Sequence, residues 1–212
     1  MVENISFYRN NPTVKFLKDE TILLKDVIPK YIYCIKSGVV QKFSLSSNGI
    51  KQSISFEIID DIFPKSFAFS KTTKTIFEYR AFTNCELYLI SVEDFKSQLA
   101  YNFEFTKKML SRAISTLMGN SIKIDALEKS HAEQKIIHMF RYLCLIYGTG
   151  RWNGLVRIEV PLTQQDLAEL TGLTRETINM ELSKLIKLKI ASSYQKHYTI
   201  DTIKLNELAD SG

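Results

Sequence analysis

Cysteine and histidine are both scarce in this 212-residue chain, with three of each. Cys34, Cys85 and Cys144 form an odd set, 51 and 59 positions apart, without a C-x-x-C pair. That spacing excludes a disulfide framework and a thiolate metal site. His131, His138 and His197 show no H-E-x-x-H arrangement. His131 and His138 lie two helical turns apart, too far to share a metal ion. No apolar run reaches the roughly 18 residues that a membrane span requires. The polar start, Met1–Asn11, lacks the apolar stretch of a secretory signal, so a cytoplasmic location is expected. No P-loop, dinucleotide fingerprint or catalytic triad is present. The expectation is therefore a non-enzyme with no catalytic residue, no metal and no identified cofactor.

What is present is ordinary globular composition, 45% hydrophobic and 24% charged. The length suits one large domain or two small ones. The net charge of +5 permits a polyanionic partner. Its distribution does not locate one. Residues 1–127 hold 17 Lys and Arg against 13 Asp and Glu, whereas residues 128–212 hold 11 against 10.

Residues 20–90 read as short strands between turns. Thr21–Leu24, Tyr31–Ile35, Val39–Leu45, Gln52–Ile58, Phe77–Phe82 and Glu86–Ile90 are rich in Ile, Val, Tyr and Phe. Asn48-Gly49 is a hairpin signal, because both residues tolerate positive φ. Strands at this spacing predict an antiparallel roll or sandwich. Between Ile62 and Ile76 the pattern lapses, through Pro64 and a Lys/Thr-rich tract, Lys71–Thr75.

From Ser91 the period becomes helical. A short helix carries Glu93 and Asp94 in its first turn, where they suit the helix dipole. A long helix follows from about Tyr101 to Glu128. In it Leu110, Leu117 and Ile124 recur every seven residues, and so do Ala113, Asn120 and Leu127. Such interleaved series make a coiled-coil seam between two copies; the other reading is a helix lying on its own β-domain. Asn120 in the seam either fixes register or touches a bound molecule. A further helix over Ala132–Tyr147 places Ile136, Ile137, Phe140, Leu143 and Cys144 on one face, with Cys144 a core residue, and Gly148-Thr149-Gly150 ends it.

Residues 157–200 carry the strongest signal. A strand over Arg157–Val160 stops at Pro161. Thr163-Gln164-Gln165-Asp166 resembles a capping box, with Asp in place of the usual Glu or Gln. Leu167, Ala168 and Leu170 form the buried face of a two-turn helix. Gly172 supplies a sharp turn, and Thr174 caps a second helix from Arg175 to about Lys189, buried through Ile178, Leu182 and Leu185. This is the helix-turn-helix pattern, whose second helix enters the DNA major groove. Projection at 100° per residue turns Glu176, Met180, Ser183 and Lys187 outward, flanked by Asn179 and Lys184. Arg175, Glu176, Asn179 and Met180 are the candidates for reading bases. Thr163, Gln164, Thr174, Thr177, Lys184 and Lys187 are the candidates for holding phosphates. Ile190–Ser192 and His197–Ile200 read as a two-stranded wing around Tyr194-Gln195-Lys196, with His197 packed.

In this order, a β-roll, a long helix and a winged helix-turn-helix resemble the cyclic-AMP receptor / fumarate-nitrate regulator (Crp/Fnr) family. The resemblance is most specific in Leu162-Thr163-Gln164-Gln165-Asp166-Leu167-Ala168 and Gly172-Leu173-Thr174-Arg175-Glu176-Thr177; Tyr31–Val40 is similar to the family's early hairpin. It implies an α+β fold: a jelly-roll-like antiparallel β-roll (double-stranded β-helix) over 1–100, a dimerisation helix and hinge over 101–130, and a winged helix-turn-helix over 131–212. It also implies a homodimer on a palindromic operator in double-stranded DNA, acting beside RNA polymerase or blocking it. The alternative is a ligand-sensing or scaffold protein whose winged helix makes protein contacts.

Departures from the family pattern limit the analogy. Met180 stands where the usual recognition helix has an Arg, and a thioether cannot donate a hydrogen bond. Pro64-Lys65 and Thr75-Ile76 stand where cyclic-nucleotide binders carry a Gly-Glu pair and an Arg-Ser or Arg-Thr pair, so the expected effector is not a cyclic nucleotide. No N-terminal cysteine group exists for an iron–sulfur cluster, and no histidine lies in the β-roll. Glu78–Ile90 and the long helix also resemble the cyanobacterial global nitrogen regulators, although Thr116 replaces an arginine of theirs. Lys65, Lys71, Lys74 and Asn120 remain candidates for an unidentified small-molecule effector; a solvated lysine-rich loop is the other reading of the three lysines.

Overall fold

The computed structural model describes the backbone of residues 6–69 and 74–210. The chain divides into two compact units, Met1–Leu110 and Ser111–Gly212.

In the first unit a 3-10 turn, Ser6–Asn10, precedes strands β1 (Thr13–Phe16), β2 (Thr21–Leu23), β3 (Ile32–Ser37), β4 (Val40–Leu45), β5 (Lys51–Glu57) and β6 (Ile62–Phe63). Helix α1 (Lys65–Phe69), strands β7 (Glu78–Ala81) and β8 (Cys85–Ile90) and helix α2 (Val92–Tyr101) follow. The strands form two four-stranded antiparallel sheets, β1-β8-β3-β6 and β2-β7-β4-β5. Strand β3 shows why its sequence is apolar almost throughout, because both of its faces are covered. Ile35 joins Val40, Phe63, Tyr79, Ala81 and Leu87 between the sheets, while Ile32 and Cys34 join Ile90, Phe95 and Phe105 on the outer side. Phe63 stacks on Tyr33 at 5.3 Å and on Tyr79 at 5.0 Å, tying the two sheets together.

All six expected strands are present, with ends moved by at most two residues. Three elements went unread. Strand β1 is four residues at a sheet edge and only half-buried, and β6 has two residues, so neither carries a periodic signal. Helix α1 occupies the start of the stretch where the pattern lapses. The 46–50 turn also differs from a two-residue hairpin. Gly49 alone takes positive φ (78°), while Ser46 N–H donates to the Ile50 carbonyl at 3.0 Å and the Ser46 hydroxyl donates to Asn48 Oδ1. Asn48 acts here through its side chain rather than through its backbone.

The Ser91 hydroxyl caps α2 by accepting from Asp94 N–H at 3.0 Å. Helix α3 (Phe103–Glu128) starts at Asn102, whose Oδ1 accepts from Phe105 N–H at 3.1 Å. Phe105 and Met109 are buried in the β-unit. Farther along, Gly119, Lys123 and Ala126 are buried on one face of α3. A Cβ on Gly119 would lie 2.6 Å from Ile146, so glycine is what lets this stretch approach the next helix. The opposite face leaves Leu110, Ala113, Ile114, Leu117, Met118, Asn120 and Ile124 exposed, with Leu127 half-buried.

In the second unit α4 (Ala132–Tyr147) buries the five expected residues together with Met139, Tyr142 and Tyr147. Then come β9 (Gly148–Trp152), β10 (Leu155–Ile158), α5 (Gln164–Thr171), α6 (Arg175–Lys187), β11 (Ala191–Tyr194), β12 (His197–Asp201) and α7 (Thr202–Asp210). The strands form one antiparallel sheet in the order β11-β12-β10-β9. The strand expected over Arg157–Val160 is shifted back by two residues. Val156 and Arg157 pair with Ile200 and Thr199, whereas Glu159 N–H leaves the ladder to bond the Tyr147 carbonyl at 3.0 Å. Gly148 does cap α4, but the chain runs on from it directly into β9. Helix α7 was also unread; Asp201 Oδ1 accepts from Lys204 N–H at its start, and Leu205 is its buried anchor.

Candidate nucleic-acid interface

The helix pair α5–α6 is fixed at both starts by threonine caps. Thr163 Oγ1 accepts from Asp166 N–H at 3.2 Å, and Asp166 Oδ2 accepts from Thr163 N–H at 2.8 Å, completing the capping box with an aspartate. The Thr163 hydroxyl proton also goes to Asp166, at 2.6 Å. Gly172 ends α5 at φ 71°, ψ 14°, with its N–H on the Ala168 carbonyl at 2.8 Å. A side chain there would carry the left-handed penalty of about 1–2 kcal/mol. Thr174 then accepts from Thr177 N–H at 3.2 Å, and the two hydroxyls lie 2.9 Å apart.

Packing of α6 sets which side chains face out. Ile178, Leu182 and Leu185 are buried, as their spacing requires. Arg175, Glu176, Asn179, Met180, Ser183, Lys184 and Lys187 are exposed, and Thr177 is half-buried. Met180 exposes 54% of its surface, a large apolar group offered to whatever meets this face. Gln164 Nε2 donates to Asn179 Oδ1 at 2.9 Å, so the first residue of α5 and the middle of α6 share one polar rim.

Two side chains behave in ways the projection did not show. Glu181 is 5% exposed and pairs with Lys184 Nζ at 2.9–3.0 Å. Its hydrogen bond raises the Lys184 pKa and keeps that ammonium charged, while drawing it toward the protein. Helical spacing alone could not reveal this, because Glu181 sits at the margin of the buried stripe.

The wing expected around Tyr194-Gln195-Lys196 is present, and the backbone at its tip is the second feature that the sequence did not show. Gln195 and Lys196 take φ of 48° and 68°, a two-residue turn in the left-handed region with neither position filled by glycine or asparagine. Tyr194 and Lys196 are exposed there. The double substitution Gln195→Asn, Lys196→Gly is expected to raise stability by on the order of 1 kcal/mol. Thermal unfolding measures it, and an unchanged or lower midpoint would contradict the strain. His197 is structural, its Nδ1 lying 3.1 Å from the Ile158 carbonyl.

The β-unit candidates are arranged differently from a free lysine cluster. Lys65 Nζ donates to Glu57 Oε2 at 2.7 Å, and Lys42 Nζ lies 3.8 Å from Glu57 Oε1. The Glu57 side chain is almost fully buried, and burial pushes the Lys42 pKa down. Lys74 is exposed, and Lys71 lies outside the described residues. Thr75 is buried; its hydroxyl donates to the Leu24 carbonyl and accepts from Val27 N–H at 3.2 Å. Pro64 is buried and Ile76 exposed.

Known proteins agree with this order of parts. The family described as Crp-like helix-turn-helix domain matches residues 134–210, and the family described as Cyclic nucleotide-binding domain matches residues 13–102. An anaerobic regulatory protein of Pasteurella multocida is 27% identical over 193 residues, covering 84% of this chain and 64% of its own length. The chain thus spans a little under two thirds of that relative. A global nitrogen regulator of Synechococcus elongatus is 21% identical, covering 88% of this chain and 84% of its own length. Among solved structures, FixK2 from Bradyrhizobium japonicum superposes with a TM-score of 0.76 at 18% identity, covering 93% of this chain and 96% of that one. A CooA mutant from Carboxydothermus hydrogenoformans gives 0.77 at 17% identity, covering 99% and 92%. With both halves matched in the same order as the β-unit and the winged helix-turn-helix, the chain belongs to the Crp/Fnr family of transcription regulators.

Proposed function

We propose that the protein is a sequence-specific DNA-binding regulator that acts in the cytoplasm as a homodimer on a palindromic operator, beside RNA polymerase or in its way. The observation that carries this reading is the α5–Gly172–α6 unit. Both helix starts are capped, the turn is left-handed at glycine, and the face of α6 that carries Arg175, Glu176, Asn179 and Met180 is exposed. On this reading residues 1–100 form a sensor-like β-roll, 101–130 a dimerisation helix and hinge, and 131–212 the DNA-reading part. Arg175, Glu176, Asn179 and Met180 read base edges. Gln164, Thr174 and Thr177 hold phosphates around the helix N-termini, and Lys184 and Lys187 do so from the last turn of α6, with Lys196 at the wing tip. Thr163 contributes by fixing α5, since its hydroxyl is committed to Asp166. Met180 offers apolar contact suited to a thymine methyl, so the operator differs from one read by an arginine there.

The effector is of a class other than cyclic nucleotides. A phosphate placed by the family's alignment would meet Lys65 already bonded to Glu57, and Thr75 tied to the 24–27 backbone. The buried Glu57 carboxylate would repel it.

Selection of binding sites from random duplex DNA tests the reading. Two inverted half-sites about one helical turn apart are expected. Enrichment of no sequence, or of a motif without dyad symmetry, would overturn it. Arg175→Ala is expected to weaken operator binding by about 1–3 kcal/mol and to relax one base position. A gel-shift titration measures this, and unchanged affinity would remove Arg175 from base reading.

A further inference from the structure

A cleft of about 640 Å³ lies wholly within the second unit, between the C-terminal half of α3, helix α4, the β9–β10 turn and helix α7. That volume is in the range of small-molecule sites. Ile122, Leu145, Val156 and Leu205 supply apolar walls, and Ser121, Thr202 and Asn206 place hydroxyl and amide groups among them. None of the outward residues of α6 lines it.

The charges in the cleft are unequally matched. Asp125 accepts from Lys129 Nζ at 2.9 Å and lies 3.0 Å from His138 Nδ1, so its carboxylate is already held on two sides. Arg141 follows His138 by three residues on the same face of α4 and is only partly exposed. It makes no hydrogen bond or ion pair with any described residue, in contrast to its neighbours. A half-buried guanidinium over an apolar surface is a poor arrangement without a counter-ion. Its planar fork matches a carboxylate in bidentate geometry. One unmatched positive charge beside Asp125 suits a monoanion. A phosphate dianion would leave a negative charge uncompensated near that aspartate.

We propose that this cleft binds a small organic carboxylate, its head on Arg141 and its apolar body against Leu145, Val156 and Leu205. None of its lining residues belongs to the outward face of α6 or to the first unit, and the proposal does not rest on the role given to either.

Calorimetric titration of the full chain tests it, with octanoate as probe and octan-1-ol and inorganic phosphate as comparisons. Octanoate is expected to bind and to raise the unfolding temperature, since a ligand of the folded state stabilises it by mass action. Arg141→Gln should weaken octanoate at least tenfold without changing octan-1-ol, and Arg141→Lys should fall between. Leu145→Trp, at a partly exposed position, should fill the cleft and abolish octanoate binding; this variant decides the matter if the Arg141 variants fail to fold. The proposal is overturned if octanoate does not bind at millimolar concentration. It is equally overturned if affinity is unchanged in Arg141→Gln or Leu145→Trp, or if phosphate competes as well as octanoate does.

Discussion

Leu117→Glu is expected to convert the protein from dimer to monomer without unfolding it. Leu117 is 66% exposed in the single chain and sits mid-way along a stripe with Leu110, Ile114, Met118 and Ile124, all exposed. The face of α3 that this chain uses is the other one, marked by Gly119, Lys123 and Ala126. A contiguous apolar stripe of that length on a protein surface marks an interface. In a two-fold pair each residue is counted twice. Losing two buried leucines at about 1.5–3 kcal/mol each removes on the order of 3–6 kcal/mol from association. Burying two unpaired carboxylates opposes association further. The dimer constant should therefore weaken a hundredfold or more, with helix content unchanged. Sedimentation equilibrium and circular dichroism measure the two quantities. A variant that stays dimeric would place the interface elsewhere. Loss of operator affinity should accompany the loss of dimer, because the second half-site no longer contributes.

Leu182→Ala is expected to cost about 2–5 kcal/mol of stability, the range for truncating a buried leucine. Leu182 is 4% exposed and lies on the inward face of α6 between Ile178 and Leu185. Met180→Ala, two positions away on the outward face, should change stability by less than about 0.5 kcal/mol. The DNA readout should reverse this order at a temperature where both variants are folded. Leu182→Ala should then keep the selected sequence, while Met180→Ala should change preference at one base position. Urea unfolding and competition binding separate the two effects. Equal destabilisation by both substitutions would mean that α6 is packed on both faces and that the groove-reading assignment fails.

Much of this organisation was legible because it rests on short-range rules. The helix start at Ser91, the caps at Thr163 and Thr174, the left-handed Gly172 and the inward triplet of α6 all express local backbone chemistry, and the structure reproduces them. Long-range partners were less legible. Strand β9 hides in Gly148-Thr149-Gly150, which read as a stop because only pairing with β10 makes it a strand. Helix α7 depends on Leu205 finding its place in the unit and on an Asp201 cap, neither visible as a period. The same limit applies to the sites. The exposed face of α6 follows from a 100° projection, whereas the Glu181–Lys184 pair and the Lys65–Glu57 pair depend on side chains meeting in space. Heptad counting found Leu110, Leu117 and Ile124 but passed over Ile114 and Met118, which share the exposed face, because it fixed on seven-residue intervals. Bulk charge was a poor guide throughout: the near-neutral second half carries the side chains proposed to face DNA, and what matters is which of them the packing leaves outside.

We propose that this chain binds DNA specifically, through α6 and the surrounding phosphate contacts. The most direct test is a fluorescence-anisotropy titration of the selected operator and a scrambled duplex, repeated between 50 and 200 mM salt. The expected result is operator binding tighter by about 10³-fold or more, with log affinity falling linearly against log salt as counterions are released. Equal affinity for both duplexes, or binding indifferent to salt, would contradict the account.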